Sequence, residues 1–213
     1  MGLNFPTFHF ILQLTSGQKR CKMSARKKVQ EELTREMIIQ EANRQFLLND
    51  FHKVSMRAIA KELGCSHGAI YYHFTNKSEL FYAVVEQYFE QLNQMLDKAL
   101  ISDKNMNQKM IEVFLGFIEF GLNHQSQYEF MFMMRDKDID PLTQQASNNS
   151  YVKFAETLQA ISSFPLTPVT IYSTFIALHG FVSHYFGRVK HYEEAREAAI
   201  HFAHYLIKAL DNS

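Results

Sequence analysis

Apolar residues recur at intervals of three and four along most of this chain, which is the spacing of one face of an α-helix. The longest such pattern begins at Lys77 and continues to about Ile101, with apolar positions at Leu80, Val84, Tyr88, Leu92 and Leu96. We find no run of strand length in which apolar and polar residues alternate. The pattern therefore predicts an all-α protein of about nine helices.

The breaks between these patterns carry residues that end or begin helices. Thr34 and Ser66 can cap helix N-termini, Gly64 suits a helix end that needs positive φ, and Pro141, Pro165 and Pro168 fall where the periodicity stops. The low numbers of glycine (8) and proline (4) favour few turns and long helices. We predict helices over residues 34–49, 55–63, 66–72, 77–101, 107–123, 126–134, 142–162, 167–189 and 192–210.

Charge and cysteine content say little about the fold, but they give information about function. The chain has zero net charge, yet residues 1–80 hold 12 Lys and Arg against 7 Asp and Glu, and the remainder is acidic by the same margin. The two cysteines, Cys21 and Cys65, form no disulfide framework. No apolar run reaches the roughly 20 residues that span a bilayer. We therefore expect a soluble, cytoplasmic protein whose two parts have different partners.

Residues 1–28 differ in composition from the rest of the chain and are predicted to be a disordered or non-native leader, with Met23 as a plausible natural start. The basic residues of this segment are expected either to touch DNA phosphate or the minor groove as an arm, or to be an ordinary solvated tail. They are Arg20, Lys22, Arg26, Lys27 and Lys28.

The strongest functional signal lies between residues 54 and 77. Two short predicted helices are joined by Leu63-Gly64-Cys65-Ser66, with the helix at 34–49 before them, which is the layout of a helix-turn-helix. Ile59, Ala60, Ile70 and Phe74 have the spacing of a small core. The other side of the second short helix carries donors, acceptors and one methyl group, which suits the base edges of a DNA groove.

This stretch resembles the signature of TetR-family (TetR/AcrR) transcriptional regulators over about 55 residues, from Thr34 to Val85. The shared elements are Ile59-Ala60, Gly64, the Tyr71-Tyr72-His73-Phe74 cluster and Lys77 followed by Glu79-Leu80. The resemblance implies a helix-turn-helix domain over 29–80 and a helical effector-binding and dimerisation domain over 81–213. It implies phosphate contacts by Ser55, Tyr71 and Lys77. It places near the bases Arg57, His67, Gly68, Ala69, Tyr72 and His73.

The second half is rich in large apolar side chains, which are either plain core or the wall of an apolar ligand cavity. Leu178-His179-Gly180 resembles the Trp-His-Gly stretch of one subset of the family, with Leu in place of Trp. By this resemblance the candidate effector residues are Phe117, Phe120, Tyr128, Phe132, Met133, Tyr151, Phe154, Phe175 and His179.

The last two long helices are the candidates for a homodimer interface, because both combine large apolar with small residues. The residues predicted to meet a partner chain are Ile171, Val182, Phe186, Ala198, Ala199, Phe202 and Leu206. His201 and His204 have the spacing of a metal pair, but no carboxylate or cysteine accompanies them, so no metal site and no cofactor is predicted. No catalytic motif is recognisable, so we predict that the chain is not an enzyme.

Three functions are compatible with these observations. The first is a dimeric regulator, by the family's default a repressor, that a small hydrophobic effector releases from a palindromic operator in double-stranded DNA. The second is a DNA-binding architectural protein of the same fold that needs no ligand. The third is a helical-bundle enzyme or carrier, for which the catalytic residues are missing.

Overall fold

The computed structural model describes residues 32–134 and 140–211, with the side chains of 140–142 and 211 left aside. These residues form nine α-helices and no β-strand, which confirms the predicted all-α fold. The helices are α1 (Arg35–Leu48), α2 (Met56–Glu62), α3 (His67–His73), α4 (Lys77–Ile101), α5 (Met106–Asn123), α6 (Gln125–Tyr128), α7 (Asp140–Ile161), α8 (Pro168–Tyr185) and α9 (Arg196–Asp211).

Helices α1 to α3 and the 3₁₀ turn Phe51–Lys53 form a small unit, called the head below. Each of its helices begins at a capping side chain. Thr34 Oγ1 accepts from the Met37 N–H, Ser55 Oγ from Ala58, and Ser66 Oγ from Ala69, at 3.1 to 3.2 Å. Gly64 has a φ of 64°, which allows the sharp turn between α2 and α3. The predicted helix-turn-helix thus arises from local sequence signals.

Helix α4 runs from the head into the second half of the chain. It packs against α1 on one side and against α5 and α7 on the other. Its buried face starts at Leu80 and Phe81 and ends at Leu96 and Ala99. One continuous core extends from Ile38 to Leu210, so the division predicted at residue 80 marks no break in packing. A division of function at this point stays a prediction.

The rear region, α5 to α9, is built around α5. Helix α5 packs against α4, α7, α8 and α9. The approach of α5 to α8 is close at Gly121, where an added Cβ would lie 2.6 Å from Val182 Cγ1. Between α5 and α7 the chain forms the short helix α6 and a five-residue π-helical turn, Glu129–Met133.

Several predicted helix boundaries are wrong. The helix predicted over 126–134 is divided into α6 and the π-helical turn. Helix α8 ends at Tyr185 and not at Val189, because Gly187 follows with a φ of 70°. Pro168 does not lie in a break but is the first residue of α8, where its missing N–H costs nothing. A 3₁₀ turn, Tyr192–Ala195, occupies the predicted start of α9. The leader and its basic residues lie outside the described residues.

Candidate DNA interface and ligand cavity

Helix α3 exposes the side chains that the sequence places near DNA bases. Tyr72 is 87% exposed and Tyr71 45% exposed, although both are large aromatic residues. His67 and Gly68 are also exposed, and Ala69 and His73 are half-buried. The His67 ring packs edge-on against Tyr71 at 4.7 Å between ring centres. Exposed aromatic side chains contribute little to the stability of the folded chain. Grouped on one short helix, they are suited to contact a partner.

The start of α2 presents the second group of candidate DNA contacts. Ser55 and Arg57 are both exposed there. The Ser55 hydroxyl oxygen accepts the Ala58 N–H, and its proton can be donated outward to a phosphate oxygen. Arg57 is long and charged, and its guanidinium can donate two parallel hydrogen bonds to guanine or to a phosphate.

Lys77 has a different environment from the one the sequence suggested. Its ammonium donates to the carbonyls of Phe51 at 2.9 Å and Val54 at 3.2 Å, and it lies 4.1 Å from the centre of the Phe51 ring. These contacts fix the segment that precedes α2, so Lys77 holds the head together. An ammonium has three donors. Two of them bond to the carbonyls, so one N–H remains for a phosphate oxygen. The phosphate contact itself stays a prediction.

Two further cations of the head were not among the predicted DNA contacts. Arg35 is exposed at the start of α1, with its guanidinium carbon 4.5 Å from the centre of the Phe74 ring at the end of α3. Lys53 is exposed in the 3₁₀ turn two residues before Ser55. The sequence shows both charges but not their nearness to α3 and α2, which depends on how the three helices fold together.

A cavity of about 600 Å³ opens in the rear region between α7, α8 and the π-helical turn. Four of the predicted effector residues line it, namely Phe132, Tyr151, Phe175 and His179. The polar side of the cavity comes mostly from α7, and its residues are not among those predicted from the sequence. Its lining residues there are Thr143, Gln144, Ser147 and Asn148.

The other predicted effector residues have different positions. Phe117 and Phe154 are buried and contact the ring of Phe175, each at 5.8 Å, so they support the wall from behind. Phe120 and Met133 are not part of the lining. Tyr128 is fully buried, and its hydroxyl lies 2.7 Å from His179 Nδ1.

The Tyr128–His179 pair fixes a polar group in an otherwise aromatic wall. Burial raises the pKa of the Tyr128 phenol well above its ordinary value, because the ionised form would lose its hydration. The phenol therefore stays protonated, and it donates to His179 Nδ1 or accepts from it according to the imidazole tautomer. His179 Nε2 lies 3.4 Å from Ser183 Oγ.

The residues predicted to form the dimer interface differ in exposure within the single chain. Ile171, Val182, Ala199 and Leu206 are buried inside the single chain, at 7% exposure or less, and so have little surface for a partner. Phe186, Ala198 and Phe202 are half-buried. The exposed apolar residues of these helices are different ones, namely Val169, Tyr172 and Ile176 on α8 and Tyr205 on α9.

Other site types find no support in the described part of the chain. Within residues 32–134 and 140–211 there is no group of three or more His, Cys, Asp or Glu side chains suited to a metal ion. His201 and His204 are exposed on α9. No helix among the described residues is both long and apolar enough to cross a membrane.

Comparison with known proteins agrees with the helix-turn-helix head and the all-α fold. Residues 38–84 match the family of bacterial regulatory proteins called the tetR family. The transcriptional activator FasR of Mycolicibacterium smegmatis is 32% identical over 95 residues, which are 43% of this chain and 42% of FasR. The chain thus spans less than half of that relative.

The likeness in fold extends further than the likeness in sequence. The regulator FadR of Bacillus subtilis, solved with stearoyl-CoA, has a TM-score of 0.61 at 14% identity, over 83% of this chain and 97% of FadR. The TetR-family regulator PfmR of Thermus thermophilus has a TM-score of 0.60 at 19% identity, over 82% and 96%. These relatives are named as regulators and not as enzymes, in agreement with the prediction of no enzymatic activity. Over residues 38–84 the chain is therefore similar to the tetR family of bacterial regulatory proteins, and its all-α fold is similar to that of solved structures named as members of that family.

Proposed function

We propose that this protein is a dimeric, DNA-binding transcriptional regulator whose affinity for its operator falls when a small, largely hydrophobic molecule fills the rear cavity. The exposed aromatic and polar face of α3 carries the DNA-binding part of this proposal. A helix on which Tyr72 is 87% exposed and His67 is also exposed has the composition of a surface that contacts base edges. We assign its site of action to the cytoplasm, where bacterial DNA is transcribed.

The ligand-binding part rests on the cavity between α7 and α8. Its volume of about 600 Å³ is within the usual range for small-molecule sites, and its lining combines aromatic rings with a few polar groups. FadR was solved with stearoyl-CoA, which makes long-chain acyl compounds the first effectors to try. The sense of regulation is proposed as repression, and FasR shows that activators occur among the relatives.

The dimer is proposed from the apolar residues left exposed on α8 and α9. Val169 is 74% exposed and Tyr205 66%, and neither lines the cavity. Tyr172, at 55% exposure, and Ile176, at 46%, lie at the rim that this surface shares with the cavity lining. Such residues on neighbouring helices are typical of a surface that a second copy covers. A dimer would also present two heads to the two halves of a palindromic operator.

DNA binding is tested by fluorescence anisotropy on the DNA upstream of the protein's own gene, with a scrambled duplex as competitor and several salt concentrations. We expect a preference of about 1,000-fold or more for the native duplex. Tyr72→Ala and Arg57→Ala should reduce this preference, whereas Arg188→Ala, an exposed arginine of the rear region, should not. Equal binding of both duplexes by the wild type would contradict autoregulation and move the search to the whole genome.

Ligand binding is tested by thermal shift with acyl-CoA compounds, beginning with stearoyl-CoA. A ligand that stabilises the wild type should also lower its operator affinity. Ser147→Trp places an indole ring at the cavity wall and should abolish the thermal shift, whereas Asn149→Trp, which is exposed on the same helix, should leave it unchanged. An operator affinity that no stabilising ligand alters would favour the ligand-independent architectural protein.

A further inference from the structure

The π-helical turn Glu129–Met133 lies between the ligand cavity and the head, and its side chains face both. Met131 and Phe132 line the cavity. Phe130, the residue before them, packs edge-on against Phe81 of α4 at 5.4 Å between ring centres. One short turn therefore contacts the ligand site and the part of α4 that joins the head.

Phe81 of α4 is the centre of an aromatic cluster that it forms with residues of the head. It is fully buried and contacts Phe46 of α1 at 5.1 Å and Phe51 of the 3₁₀ turn at 5.0 Å, both edge-on. The Phe51 ring and carbonyl in turn hold the Lys77 ammonium. Phe51 comes shortly before Ser55 and Arg57, so this cluster connects Phe81 to the segment that precedes α2.

The turn borders two open spaces. One is the ligand cavity, and the other is a cleft of about 440 Å³ between the end of α1 and residues Ser126, Glu129, Phe130 and Met134. The turn is closed by a bond from Met134 N–H to the Glu129 carbonyl, which is the longer i to i+5 spacing. Such π-helical segments are rare and occur mostly as single turns, frequently at functional sites.

We propose that Phe130 is the positioning residue that couples the ligand cavity to the DNA-binding head. An occupant of the cavity pushes on Phe132 and Met131, the π-helical turn shifts, and Phe130 carries the shift to the cluster of Phe81, Phe51 and Phe46. The competing route uses the contact of Phe132 with Phe89 of α4 at 5.4 Å, which bypasses Phe130. This inference rests on the proposed ligand response, but it is testable without an effector or an operator.

The test uses hydrogen–deuterium exchange of the full-length protein, read at the backbone amides of residues 46–57. Phe130→Leu keeps an apolar side chain and removes the ring contact with Phe81. Phe120→Leu is the matched control, since Phe120 is also half-buried in the rear region but contacts His124 at 5.2 Å and not the head. We expect exchange at 46–57 to rise about fivefold or more in Phe130→Leu, the lower end of ordinary coupling, and to stay unchanged in Phe120→Leu.

A tryptophan placed in the cavity then stands in for a ligand. The chain has no natural tryptophan, so blue-shifted emission relative to exposed Asn149→Trp identifies which of Ser147→Trp and Asn148→Trp is inside the cavity. We expect the buried variant to alter exchange at 46–57 when Phe130 is present, and to have no further effect when it is combined with Phe130→Leu.

Two results would overturn the proposal. An equal change at the head with and without Phe130 would place the coupling along α4, and no change at the head in either background would leave the turn without a coupling role. Phe130→Met replaces Phe130→Leu if the latter does not fold. A failure to bind DNA in the anisotropy experiment would contradict the proposed function but would not alter these exchange results.

Discussion

Side chains in the head and at the start of α4 differ in whether they stabilise the fold or remain available to a partner. Lys77 and Arg57 illustrate the two cases. The Lys77 ammonium binds two backbone carbonyls and an aromatic face, whereas Arg57 is exposed at the start of α2. Both residues carry a positive charge, so the sequence does not distinguish their roles. Their surroundings in the folded chain identify Lys77 as structural and Arg57 as a candidate DNA contact.

Replacing each of these cations by methionine should separate the two roles. We expect Lys77→Met to lower the free energy of unfolding by about 1–3 kcal/mol, since two carbonyls lose a charged donor. Arg57→Met should leave stability within about 0.5 kcal/mol of wild type and weaken DNA binding. Urea denaturation and anisotropy measure the two effects. A Lys77→Met protein of unchanged stability, with a salt slope reduced by about 1, would instead identify a phosphate contact.

Two buried tyrosines should make the fold sensitive to alkali. Tyr88 is 1% exposed, and its hydroxyl donates to Asn43 Oδ1. Tyr128 is fully buried. Burial raises the pKa of both phenols. The unfolded chain ionises these groups at about pH 10 and the folded chain does not, so protons leave the unfolded state first. The stability they contribute is present below about pH 10 and is lost as pH rises above it.

We expect the free energy of unfolding to fall by about 1.4 kcal/mol per pH unit above about pH 10 for each such tyrosine. Urea denaturation across the alkaline range, from neutral pH to one unit above the ordinary tyrosine pKa, measures this slope. Tyr88→Phe or Tyr128→Phe should reduce it, whereas Tyr72→Phe, at an exposed position, should not. An equal slope in all three variants would show that other groups cause the alkaline loss.

At the scale of elements, close helix packing depends on a few small residues. Gly121 allows α5 to approach α8, where an added Cβ would meet Val182 Cγ1 at 2.6 Å and Cγ2 at 2.9 Å. Val182 is fully buried and branched at Cβ, so its side chain has little freedom to move away. Gly116, on the same helix, faces the Met95 side chain at 2.8 Å, which is long and flexible.

We therefore predict opposite tolerance at the two glycines. Gly121→Ala should destabilise the protein by about 1–3 kcal/mol through overpacking, despite alanine's better helix propensity. Gly116→Ala should be close to neutral, because Met95 can change rotamer. Thermal denaturation of both variants decides the matter. A stable Gly121→Ala protein would mean that α5 and α8 can separate at little cost.

At the scale of the whole molecule, the exposed apolar residues of α8 and α9 remain uncovered in the single chain. Tyr205 is 66% exposed and does not line the cavity, so it tests association separately from ligand binding. Val152 on α7 is 52% exposed and provides the comparison at a helix face outside the proposed interface.

Tyr205→Asp should convert a dimer to a monomer, because a carboxylate in an apolar interface loses its hydration without gaining a partner. Val152→Asp should leave the dimer intact. Sedimentation velocity at several protein concentrations gives the mass, and circular dichroism checks that both variants are folded. A wild-type protein that is monomeric at all concentrations, or a Tyr205→Asp protein that remains dimeric, would contradict the proposed interface.

The helices and the head could be predicted from the amino-acid sequence, because the signals involved are local. Thr34, Ser55 and Ser66 bond to an N–H three residues ahead, and Gly64 supplies the positive φ at its own position. Apolar periodicity placed α4 over its full length, Lys77–Ile101. Such features involve neighbours in the chain and need no knowledge of the tertiary fold.

Which apolar and charged residues are covered became clear only in the folded chain. Ile171 and Val182 belong to the core while Val169 and Ile176 are exposed, although all four are apolar residues of one helix. Lys77 bonds to carbonyls 23 and 26 residues away. The cavity and the Phe130–Phe81 contact likewise join separate elements. Periodicity identifies apolar faces, but burial depends on what packs against each face, and that is set by the fold of the whole chain.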